Sequence, residues 1–291
     1  MTAPRQVLEG TTYLVTRRCT QRMFLLRPSK VVNEVFLYVL AVAAKRYDIR
    51  VHAYCVLSNH YHLVVTDPHA RLPAFQQFLA GLVARALNAL HGRREYFWDS
   101  STFSAVALAT PEDIVAKTAY TLANPVAAGL VRKGREWPGL WSSPDRTGST
   151  IRMRRPEHFF AGDGYLAETI ELRLVVPPGF SSARAFREAL EPVLASQEAK
   201  EGSRDFLGAR RALAQQPLDR PRSPEPRGKL SPRVAARDKW KRIELLGRLK
   251  TFLTDYAEAL EAWRENRRRA VFPAGTYLMK VAHGVACAAA G

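Results

Sequence analysis

Cysteine is scarce in this 291-residue chain: Cys19, Cys55 and Cys287 stand far apart, and none belongs to a CxxC pair. That argues against a disulfide framework or a thiolate zinc site, and it suits a reducing compartment. Long apolar runs are missing as well. No stretch reaches the roughly 18 residues of a membrane helix, and the N-terminus has no signal-peptide core. A soluble, cytoplasmic protein with no membrane partner is expected. Acidic residues are the third shortage, 27 Asp and Glu against 44 Lys and Arg, leaving a formal charge of +17. Such an excess favours a polyanion as partner, nucleic acid ahead of a membrane surface.

Apolar residues, by contrast, make up 47% of the chain, enough for one sizeable domain and a smaller one. The organising stretch is Ala53-Tyr-Cys-Val-Leu-Ser-Asn-His-Tyr-His-Leu-Val-Val65. Residues 51–57 and 61–66 read as two strands rich in β-branched and aromatic side chains, joined by a turn at Ser58-Asn59. His60 and His62 are two apart, so a strand sends both imidazoles to one face while Tyr61, Leu63 and Val65 turn toward a core. Paired neutral imidazoles on a rigid face are natural ligands for a divalent metal. The same dipeptide spacing also suits a half-exposed pair with no ligand.

A second element lies about 60 residues downstream, in the segment Thr110-Pro-Glu-Asp-Ile-Val-Ala-Lys-Thr-Ala-Tyr-Thr-Leu-Ala-Asn-Pro-Val126. Thr110 as N-cap, Pro111 at the first helical position and Asp113 at the third predict a helix start. Pro125 predicts its end at or just before Asn124. Tyr120 and Asn124, four apart, then share one helix face. A phenol and a carboxamide oxygen aimed at the histidine face would supply a nucleophile and a third ligand. The ordinary alternative for Tyr120 is a tyrosine at the edge of the core.

These two motifs resemble the single-tyrosine HUH transposases, and most of all their REP-associated tyrosine branch. Asn59-His-Tyr-His62 matches one signature, with Ser58 where proline is commoner. Tyr120-Thr-Leu-Ala-Asn-Pro-Val-Ala-Ala-Gly-Leu-Val131 and Trp141-Ser-Ser143 match the other. The resemblance covers residues 10–145 or so. It implies a ferredoxin-like α+β domain with the histidine pair on the central sheet and the tyrosine on a helix beside it. It also implies strand-specific cutting and rejoining of hairpin DNA, such as repetitive extragenic palindromes, with Mg²⁺ as the metal.

The wider pattern fits that fold independently. Residues 11–19 read as a first strand and 29–47 as a helix capped by Ser29. The hairpin follows, then an amphipathic helix over 72–90 and a last strand over 102–108, completing strand–helix–strand–strand–helix–strand. Candidate DNA contacts are Arg17 and Arg18 at the first strand's end, and Arg93, Arg94 and Trp98 in the basic, aromatic loop Gly92–Trp98. Arg132 and Lys133 follow the tyrosine helix. For Phe97 and Trp98 the competing reading is that they pin the loop to the sheet; for Arg17 and Arg18, that they form a solvated strand end.

The layout expected is a catalytic domain at 1–145, a helical connector at 146–216 and a Pro/Arg-rich linker at 217–236. A long helix and accessory DNA-binding segment then occupy 237–291. Residues 151–200 hold seven basic and seven acidic residues, whereas 217–250 hold eleven against four, so the basic excess of the extension sits in its second half. Helices are expected over 183–195, 204–215 and 237–268. The apolar stripe of the last, Trp240, Ile243, Leu246, Leu249, Leu253, Tyr256, Leu260 and Trp263, reads as a packing surface.

The chemistry expected follows from residue types. A divalent metal on His60, His62 and Asn124 would offset charge developing on a phosphodiester while Tyr120 attacks in line, leaving a 5′-phosphotyrosine and a free 3′-hydroxyl. Two imidazoles are softer ligands than magnesium prefers, which favours Mn²⁺. Lys117 or a water are the candidates for helping the phenol lose its proton. The substrate should be single-stranded or hairpin DNA, with monomer and dimer both open. Two other readings stand: a domesticated hairpin-binding regulator that does not cut, and a nuclease that uses water, with Tyr120 structural.

Overall fold

The computed structural model describes residues 4–100, 103–160, 164–200, 205–221, 232–265 and 270–289. Its first six elements are β1 (Thr11–Arg18), α1 (Lys30–Tyr47), β2 (Arg50–Val56), β3 (His60–Asp67), α2 (Leu72–Leu90) and β4 (Ser104–Leu108). These strands pair in the order β2-β3-β1-β4, all antiparallel, which is the ferredoxin-like arrangement. Then come α3 (Pro111–Ala127), β5 (Thr150–Arg154), β6 (Thr169–Arg173), α4 (Ala183–Ala199) and α5 (Ala209–Ala214). The chain ends with β7 (Val234–Ala235), α6 (Lys239–Arg264) and α7 (Leu278–His283). β7 adds a fifth strand, parallel to β4 at the sheet edge.

Strand parity divides the sheet. Tyr13, Val15, Tyr54, Val56, Tyr61, Leu63 and Val65 point to one face and join the main core with α1 and α2. Leu14, Ala53, Val64, Val106 and Leu108 point to the other, where Ile114 of α3 packs on them. Behind α3 lies α4, whose Phe186, Leu190 and Leu194 meet Val115, Ala119, Leu122 and Ala123. Held between sheet and α4, α3 is buried on two sides, and Tyr120, 42% exposed, lies outside both contacts.

Capping fixes the helices in register with the strands. Ser29 accepts from Val32 N at 3.2 Å and Thr110 from Asp113 N at 3.2 Å, as the sequence predicts. The start of α2 is held differently. Asp67, fully buried at the end of β3, accepts from the backbone N–H groups of His69, Arg71 and Leu72 at 3.2, 2.9 and 2.7 Å.

Several expectations are corrected. α3 runs through Pro125 to Ala127. Proline here forfeits only its own N–H, while Ala128 N and Leu130 N still close on Asn124 O and Pro125 O at 2.9 Å, and Gly129 ends the helix at φ +69°. The stretch after 145 holds, besides its helices, the β5–β6 hairpin, with Ile170, Leu172 and Leu174 in the main core. Both strands, Thr-Ile-Arg-Met-Arg and Thr-Ile-Glu-Leu-Arg, alternate polar and apolar residues as a half-buried strand does, a short signal that the helical expectation for this stretch overlooks. On α6 only the C-terminal half is covered: Tyr256, Ala259, Leu260 and Trp263 pack on Phe272 and Met279. Trp240, at 74%, Ile243 and Leu246 are exposed, so the predicted stripe is a packing surface over half its length. Residue 102, the start of the 204–215 helix, Arg222, Arg227 and Lys229 of the linker, and the basic run 266–269 lie outside the described residues. Among the described residues no helix is long and apolar enough to cross a membrane.

A buried polar chain crosses the sheet where β2 carries a bulge at His52. His52 Nδ1 donates to Val175 O at 2.8 Å; its Nε2 accepts from Thr66 Oγ1 at 2.7 Å, and Thr66 meets Thr12 Oγ1 at 2.7 Å. Burial, outweighing the bond to Val175, lowers its pKa to about 4. Between that value and the ordinary 6.5 the unfolded chain holds the extra proton. Folding stability should therefore fall as pH drops from about 6.5 to about 4, by on the order of 3 kcal/mol from this group. Urea unfolding at pH 7 and pH 4.5 should show the wild type losing more than His52→Asn; equal losses would remove His52 as the cause.

Candidate active site

The site is built from three elements. β3 directs His60 and His62 to the face that α3 covers, with ring centroids 4.9 Å apart. α3 brings Tyr120 over His62, centroids 5.5 Å apart and nearly perpendicular, and sets Asn124 Oδ1 3.3 Å from His60 Nε2. β1, paired with β3, places Thr16 beside His62 and Arg18 beside His60. Lys117, one turn before Tyr120, holds its ammonium 5.5 Å from the phenol ring's centroid.

Both imidazoles are oriented from behind. Asn59 gives its amide N–H to Arg22 O at 3.2 Å, which turns Oδ1 toward His60 Nδ1 at 2.7 Å. His60 Nδ1 is then the donor, and in the neutral ring Nε2 and Asn124 Oδ1 are two acceptors 3.3 Å apart, a pairing that a proton or a cation between them would make favourable. Thr16 Oγ1 meets His62 Nδ1 at 2.8 Å. His62 Nε2 is buried and forms no hydrogen bond of ordinary geometry, although the Asn124 side chain is near enough to favour the protonated ring slightly; a buried nitrogen so poorly paired costs stability unless something binds there. Burial first, then the charges of His60 and Arg18, hold the His62 pKa well below the usual histidine range, so the ring is neutral at pH 7. Neutral imidazoles oriented through Nδ1 and presenting Nε2 are what metal ligation needs. The donor set fits a divalent cation: two imidazole nitrogens and the Asn124 carboxamide oxygen. Among the described residues no three His, Cys, Asp or Glu side chains cluster, so a third protein donor would have to be the Asn124 amide.

The other predicted residues separate. Arg18 is exposed on the histidine face. Arg17, its neighbour, points to the opposite face, where its guanidinium lies 5.5 Å from the Trp98 ring; strand alternation forbids both from serving one groove. Trp98 is a correction: it is 7% exposed, its indole N–H donates to Ala80 O at 2.8 Å, and its ring packs on Tyr61. It pins the loop and offers no surface to a base, whereas Tyr96 in the same loop is 88% exposed. Arg93 folds inward onto Met23 Sδ, while Arg94 is exposed. Arg132 stacks over Phe206 at 5.6 Å and Lys133 pairs with Glu198 at 3.5 Å, both at the surface after α3. Thr16 and Asn59, which orient the histidines, were not singled out as site residues from the sequence. Asn59 had a signal, a polar side chain adjacent to His60; Thr16 becomes visible only through strand register.

No protein-family model matches the chain, and no curated protein matches it. Solved structures resemble it in part, among them two described as transposases. One, described as a REP-associated tyrosine transposase bound to a REP hairpin, is 18% identical with a TM-score of 0.41, over 48% of this chain and 81% of that one. The other, a Deinococcus radiodurans R1 chain described as a transposase, is 18% identical with a TM-score of 0.29, over 36% of this chain and 85% of that one. The functional reading below rests on the site's own geometry and on the motifs.

Proposed function

We propose that this chain is a metal-dependent transposase-type endonuclease that cuts and rejoins single-stranded or hairpin DNA through a 5′-phosphotyrosine link. The observation that carries the reading is the buried Nε2 of His62, without a hydrogen bond of ordinary geometry, in a ring that packs against His60 and under the exposed Tyr120, with Asn124 Oδ1 3.3 Å from His60 Nε2. His60 and His62 through Nε2, and Asn124 through Oδ1, would hold Mg²⁺ or Mn²⁺. When bound, the ion supplies charge to offset that developing on the phosphoryl group.

The remaining steps belong to the chain. Tyr120 Oη forms a bond to phosphorus as the bond from phosphorus to the 3′-oxygen breaks. The proton lost by the phenol is regained overall by that 3′-oxygen. The phosphotyrosine ester keeps the energy of the broken bond, so a 3′-hydroxyl can attack it and restore both chain and DNA without ATP. Lys117, near the ring, would favour the phenolate electrostatically, and Arg18 would meet the phosphate from the β1 side.

The test is a labelled hairpin or single-stranded oligonucleotide incubated with the protein and Mn²⁺. An adduct that survives SDS and disappears with chelator supports the proposal. Cleaved DNA free of protein would select a water nuclease, and tight binding without cleavage a regulator.

One substitution probes the second layer. Thr16→Val keeps volume but removes the hydroxyl that orients His62. Mn²⁺ affinity by calorimetry should fall about tenfold or more with the melting temperature little changed. Unaltered affinity would show that Thr16 does not hold the ring.

A further inference from the structure

A second cationic surface lies away from the histidines. Arg5, Arg233, Lys241 and Arg248 line one cleft of about 570 Å³ at the β4–β7 edge, between the N-terminal arm and α6, and among the described residues no Asp or Glu lines it. The four come from three separate segments, so the tertiary fold gathers the charge. Arg5 is fixed in place: its guanidinium donates to Phe103 O at 2.6 Å and lies 3.8 Å over the Phe103 ring. Burial, then the charge of Arg233, lowers its pKa to about 10. Guanidinium and ammonium groups gathered at one cleft raise its positive potential, which favours an anionic ligand. Glu244 on α6 takes Lys241 at 2.9 Å and Arg248 at 2.7 Å, one carboxylate for two cations. Asp113 is committed to Arg237 N at 2.8 Å and to the Thr110 cap.

The cleft's position relates it to the site. Thr12, in its wall, lies four residues before Thr16 on the same face of β1, about 13 Å at ~3.3 Å per residue. Ile114, also in the wall, precedes Tyr120 by six residues on α3, about 9 Å along the axis. The cleft therefore opens within a short run of nucleotides from the phenol. Its hydroxyl and apolar walls suit sugar and base beside a phosphate.

We infer that this cleft binds phosphates of the strand whose cut point sits at Tyr120, anchoring it on one side of the reaction centre. This rests on the nucleic-acid reading above. The test uses the full chain and single strands of about 30 and about 8 nucleotides, the shorter running from the cut site only away from the cleft, with affinity read by anisotropy over a salt series. Lys241→Gln combined with Arg248→Gln, both solvent-reached on α6, should weaken the long strand about tenfold and lower its salt slope by roughly 1.4, leaving the short strand unchanged. Glu244→Gln should tighten the long strand a few-fold, an effect that a damaged fold would not produce. A double variant that binds the long strand like wild type overturns the cleft alone, provided the wild type binds and cuts. Equal losses on both strands also overturn it. Wild-type protein that binds neither strand overturns the cleft and the proposed function together.

Discussion

Tyr120→Phe is expected to take the protein–DNA adduct below detection, a loss of at least about a thousandfold, because the substitution removes the atom proposed to form the covalent bond. The change is otherwise slight. The ring keeps its contact with His62 at 5.5 Å between centroids and stays beside Lys117. α3 is held by Ile114 on the sheet and by Val115, Ala119 and Leu122 on α4, none of which touches the lost hydroxyl. Thermal unfolding should therefore match wild type within about 0.5 kcal/mol, and oligonucleotide binding should persist. The readout is labelled DNA retained on the protein in SDS, beside an anisotropy titration of the same strand. A Phe variant that still forms the adduct ends the assignment of Tyr120 as nucleophile.

The largest stability effect is expected at Asp67. Its carboxylate takes three backbone N–H groups at the entry to α2 and is fully buried. Asp67→Ala leaves all three donors without this acceptor, the Leu72 N–H in a buried place and those of His69 and Arg71 nearer the surface, and should cost about 3 kcal/mol, more than an exposed cap. Asp67→Asn keeps one acceptor oxygen and should lose roughly half as much. The urea midpoint followed by circular dichroism gives the comparison. Because β3 carries both Asp67 and the histidine pair, the Ala variant should also lower adduct yield by loosening the strand that presents His60 and His62. An Ala variant within 0.5 kcal/mol of wild type would mean that α2 is anchored by packing alone.

The ferredoxin-like order was legible because its signals are local. Ser29 and Thr110 are caps whose side chains reach only three residues along, and the alternation around His60, Tyr61 and His62 assigns faces without knowledge of partners. Four-residue helical spacing likewise placed Tyr120 and Asn124 together. Trp98 shows where this kind of signal stops. Basic residues interleaved with aromatics look alike whether the rings face solvent or the core, and only the Ala80 carbonyl beneath the indole decides. Pro125 shows another stop, since whether a proline ends a helix depends on what satisfies the groups around it.

The sequence by itself determined which residues are the candidates for chemistry here, His60, His62, Tyr120 and Asn124, and which of them share a face, because periodicities of two and 3.6 are properties of the backbone. Tertiary structure alone decided that those two faces meet, that Thr16 and Asn59 orient the imidazoles, that Arg17 and Arg18 part company, and that Arg5 comes to stand near Arg233. Each of these depends on strand register or on contacts between segments far apart in the chain. Such contacts are fixed by the packing of the whole core, which no local pattern encodes.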